Sequence, residues 1–89
     1  MSPQEALLAA RVAAERGALL YTRHARDEMQ EANARAADVK SALKAATAAI
    51  EDPPPDTKWR FEGGTDTDGD GLTVVAEYLG FEWRIVTVF

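Results

Sequence analysis

The sequence predicts an α+β domain in which two or three N-terminal helices pack on one face of a C-terminal antiparallel β-meander. Three observations carry that reading. Apolar residues recur at helical spacing as far as Ile50, a Pro53-Pro54-Pro55 run forbids helix continuation, and the residues beyond it alternate and turn aromatic and β-branched.

The first helix begins at a capping box. In Ser2-Pro3-Gln4-Glu5 the Ser2 hydroxyl can accept from the Glu5 N–H, Glu5 can reach back, and Pro3 takes the tolerated first helical position. The helix is expected from Pro3 to Arg16, with Gly17 as its left-handed stop. Ala18 to Tyr21 is a short apolar stretch that reads as an edge strand or a packed connector. Thr22 is a candidate N-cap for a second helix through Ala32, and Asn33 can end it in the left-handed region. A third helix is expected from about Ala36, where Val39, Leu43, Ala46 and Ile50 follow one another at helical spacing, up to the prolines.

Three strands are expected at Lys58 to Glu62, Leu72 to Leu79 and Phe81 to Phe89. A two-residue turn near Gly80 puts Leu72, Val74, Ala76 and Tyr78 on one face with Trp83, Ile85, Phe89, Trp59 and Phe61, and that face should meet the helices. The opposite face would carry Lys58, Arg60, Glu62, Thr73, Val75, Glu77, Arg84, Val86 and Val88. This is more apolar than exposure to water requires, and invites a partner. The plainer alternative is that the valines follow strand propensity and the arginines pair with Glu62, Glu77 or Glu82.

At 89 residues the chain makes one domain, 1–89, small enough to need a dense core. It has no cysteine, hence no disulfide framework and no thiolate metal site, which fits a reducing compartment. The alanine-rich first helix carries Glu5, Arg11, Glu15 and Arg16 and so lacks the apolar run of a signal peptide or membrane span; the expected location is the cytoplasm. A formal charge of −5 disfavours unspecific association with phosphate backbones, so any nucleic-acid role needs a local basic patch.

Two motifs bear on chemistry. Asp66-Thr67-Asp68-Gly69-Asp70-Gly71 followed by Glu77 fits a calcium-loop pattern, but strand-like segments flank it where helices are needed. The preferred reading is a polar hairpin loop with no metal, and Asp66, Asp68 and Asp70 are the alternative calcium ligands. The single histidine, His24, lies in the first turn of the second helix, where the helix dipole favours a neutral imidazole able to act as a base; Arg23 and Arg26 beside it could hold a phosphate.

Several stretches together resemble a bacterial family related to BrnT and, more distantly, RelE toxins. They are His24-Ala25-Arg26-Asp27-Glu28-Met29, a break at Asn33, Ala37-Asp38-Val39, Trp59-Arg60-Phe61-Glu62-Gly63, Leu72-Thr73-Val74-Val75 and Ile85-Val86-Thr87-Val88. The resemblance covers about residues 18–89. It implies a small toxin-type fold whose active relatives are metal-free and cofactor-free endoribonucleases acting on messenger RNA. The implied partners are a DNA-binding antitoxin protein and, where activity is retained, RNA; no membrane is expected, and a homodimer is a further expected assembly. His24 and Arg26 match the signature helix and Arg60 the basic residue after the strand tryptophan; geometry adds Arg84 and Tyr78 to the catalytic candidates and Arg23 and Lys58 to the phosphate-binding ones.

In that chemistry His24, or a tyrosine, removes the proton of a ribose 2′-hydroxyl, which attacks the adjacent phosphate while Arg60 and Arg84 stabilise the developing charge. The sequence departs from the family where Glu28 and Ala32 replace common arginines and Asn33 replaces glycine. A second expectation is therefore a non-catalytic interaction module that keeps the toxin fold. Surface charge separates the two. Convergence of Arg26, Arg60 and Arg84 with His24 favours the enzyme, and neutralisation of each arginine by a neighbouring carboxylate favours the module.

Overall fold

A computed structural model describes all of residues 1–89. The chain runs α1 (Pro3–Arg16), β1 (Leu19–Tyr21), α2 (Arg23–Glu31), α3 (Ala36–Ala45), β2 (Ala48–Glu51), β3 (Lys58–Glu62), β4 (Val74–Tyr78) and β5 (Trp83–Val88). The strands form one sheet in the order β1-β5-β4-β3-β2. Neighbours β2 to β5 are antiparallel, as a meander requires, and β1 adds a parallel edge beside β5, so the sheet is mixed.

The helix ends follow local chemistry. Ser2 accepts from the Glu5 N–H at 3.1 Å while the Ser2 N–H donates to Glu5 at 2.9 Å, closing the capping box. Thr22 caps α2 by accepting from the Ala25 N–H at 3.0 Å. Asn33 ends α2 with φ 55°, and the Ala34 N–H reaches back to the Met29 carbonyl at 2.7 Å.

Two expectations are corrected. The third helix stops at Ala45 rather than at the prolines, and Ala48 to Glu51, including Ile50, forms a strand. Alanine repeats support either conformation, and pairing of Ala49 with Phe61 and of Ile50 with Arg60 decides for the strand. The second correction concerns β5. Val75 is opposite Thr87 but Ala76 is opposite Ile85, so Val86 is an extra residue and the strand's alternation flips there. Trp83, Ile85 and Val88 therefore point into the core, whereas Phe89 is 65% exposed.

The core lies between the sheet's inner face and the helices. Leu19, Ala49, Trp59, Phe61, Val74, Ala76, Trp83, Ile85 and Val88 meet Ala6, Ala10, Ala13, Ala14, Ala25, Met29, Val39, Ala42 and Leu43. Phe61 and Trp83 stack edge to face with centroids 5.3 Å apart. Alanines at α1's buried positions let the helix lie close, against α3 and β2. Just after β3 the approach tightens further: a Cβ on Gly64 would lie 2.0 Å from the Ala42 carbonyl oxygen of α3, so only glycine fits.

Candidate functional site

The outer face of the sheet has no helix over it. Its rows follow from the register. Leu20, Arg84, Glu77 and Lys58 run across β1, β5, β4 and β3, and Val75, Arg60 and Ile50 run across β4, β3 and β2. Leu20 and Ile50 remain 42% and 38% exposed, so aliphatic side chains lie open to water among the charges.

Each cation on this face has a carboxylate beside it. Arg60 Nε stands 2.9 Å from Glu62 Oε2, Lys58 Nζ 3.0 Å from Asp56 Oδ2, and Arg84 is ion-paired with Glu77. The Thr57 hydroxyl donates to Glu77 as well. That hydroxyl, and after it the Arg84 guanidinium, hold the Glu77 carboxyl below the usual carboxylate range. The Lys58 ammonium lowers Asp56 in the same way, and Asp56 in turn raises Lys58.

His24 lies elsewhere, exposed on the first turn of α2. Its Nε2 is 3.3 Å from Glu28 Oε1, one helical turn on. The same carboxylate oxygen accepts the Val88 N–H of β5 at 3.2 Å, so Glu28 ties the histidine's helix to the sheet. Arg23 and Arg26 flank His24 and take part in no ion pair. The Tyr21 hydroxyl is shielded from water without a hydrogen-bond partner; burial pushes its pKa up, and the charge of Arg26 opposes the rise.

Tyr78 points to the inner side of the sheet at the β4–β5 turn, tilted against Trp83 with centroids 5.0 Å apart, and its hydroxyl donates to the Gly80 carbonyl. The four predicted catalytic side chains are thus dispersed: Arg60 and Arg84 on the outer face, Tyr78 on the inner side, His24 on α2. No cavity gathers them. Two shallow depressions open on the surface, one of about 450 Å³ along α3 between Lys40 and Lys44, the other of about 680 Å³ in the proline loop ending at Lys58.

The Asp66 to Gly71 segment is a hairpin loop. Asp66 Oδ1 accepts the N–H groups of Asp68 and Asp70, each at 2.9 Å, so its carboxylate organises the turn. Nowhere do three His, Asp or Glu side chains converge in a way that could hold a metal ion. Glu77 faces Arg84 on the outer side of β4, away from that loop.

Sequence reasoning passed over Asp38, the only buried charged residue, at 5% exposed. It accepts the Arg35 N–H at 2.8 Å, the Thr67 N–H at 3.0 Å and the Thr67 hydroxyl at 2.6 Å, docking the acidic loop on α3. The Arg35 amide first, then the Thr67 hydroxyl and amide, depress its pKa to about 2. A carboxylate in the third position of a predicted helix was the available signal. Glu28 was legible too, four residues after His24 on one helix face.

No helix is long and apolar enough to cross a membrane. No curated protein and no solved structure matches the chain. A family profile does, over residues 21–89, from the end of β1 through every later element, and the chain thereby belongs to the family described as Domain of unknown function (DUF4258).

Proposed function

We propose that this domain works without catalysis, as a cytoplasmic toxin-type fold that binds a protein partner through the uncovered face of its sheet. The observation that carries the reading is the neutralisation of that face: Arg60 by Glu62, Arg84 by Glu77 and Lys58 by Asp56. Paired charges cancel the potential that would draw in an RNA backbone. Aliphatic side chains set among balanced polar groups suit a protein interface. By the resemblance to BrnT and RelE relatives, the expected partner is a DNA-binding antitoxin protein.

The test is co-purification from the native host with an outer-face variant, Val75→Glu, beside His24→Ala. Loss of a stoichiometric partner with Val75→Glu and its retention with His24→Ala supports the reading; the opposite pattern refutes it.

A second reading, a metal-free endoribonuclease acting on messenger RNA, is favoured by Arg23 and Arg26, which flank His24 without carboxylate partners. In it His24 accepts the 2′-hydroxyl proton, the freed oxygen attacks the phosphorus, and the 5′-oxygen leaves, with the two arginines on the phosphate.

A further inference from the structure

We draw no further inference here: the strongest candidate, the shallow depression along α3 where Lys40 and Lys44 lie beside Ala37, Ser41 and Ala45, joins surface lysines to a stripe of small residues, and nothing in the structure shows what covers it.

Discussion

Arg84 of β5 and Glu77 of β4 stand directly opposite one another and form an ion pair on the uncovered face of the sheet. Three of the side chains that a ribonuclease reading assigns to phosphate, Arg84, Arg60 and Lys58, are held in this way, each by a carboxylate of its own strand neighbourhood. The face is consequently studded with charges and nearly neutral, and that combination directs the functional conclusion toward protein binding.

The Arg84–Glu77 pair is half in water and should contribute little to stability. A double-mutant cycle of Arg84→Ala and Glu77→Ala, read by urea unfolding, is expected to give a coupling of about 0.2–1 kcal/mol. A coupling several times larger would mean that the pair is a structural element of the sheet, with no freedom to serve a partner.

Asp38 should dominate the acid sensitivity. Its folded pKa, about 2, lies below the reference value of 3.8, so its contribution is fully present above about pH 4 and disappears as pH falls toward 2. The wild type should lose stability across that window. Asp38→Asn should be less stable at pH 7 and show a shallower slope between pH 4 and 2 in denaturant titrations. An unchanged slope would remove Asp38 as the cause.

Gly64→Ala should be among the costliest small substitutions. The added methyl meets backbone of α3, which cannot swing aside as a side chain could. A loss of about 1–3 kcal/mol or more is expected from chemical denaturation. A loss below about 0.5 kcal/mol, within the range of ordinary surface changes, would mean that β3 and α3 are less closely apposed than described.

Calcium should have no effect. Because Asp66 is spent on the amides of Asp68 and Asp70, millimolar calcium is expected to leave the thermal midpoint where it was. A clear rise would assign the loop a ligand.

Elements whose cause is local were legible in the sequence. The Ser2–Glu5 capping box, Thr22 at the start of α2 and left-handed Asn33 at its end depend on neighbours a few residues away. The mixed character of the sheet was not legible, because β1 earns its strand geometry from Trp83, Arg84 and Ile85, more than sixty residues on. Nor was β2, since Ala46 at the end of α3 and Ile50 within the strand continue the helical spacing until pairing with β3 overrides it. The extra residue at Val86 changes neither composition nor propensity, yet it turns Val88 inward and Phe89 outward. The pairing of strand arginines with glutamates was readable as an alternative, since alternation alone puts Glu77 and Arg84 on one face; choosing it needed the register.

The most direct test of the central claim is growth on induced expression of the wild type beside His24→Ala and Arg60→Ala, with messenger RNA integrity followed in the same cells. Partner binding without catalysis predicts unimpaired growth and intact messenger RNA for all three. Growth arrest with RNA cleavage in the wild type, abolished by either substitution, would contradict it and establish the ribonuclease.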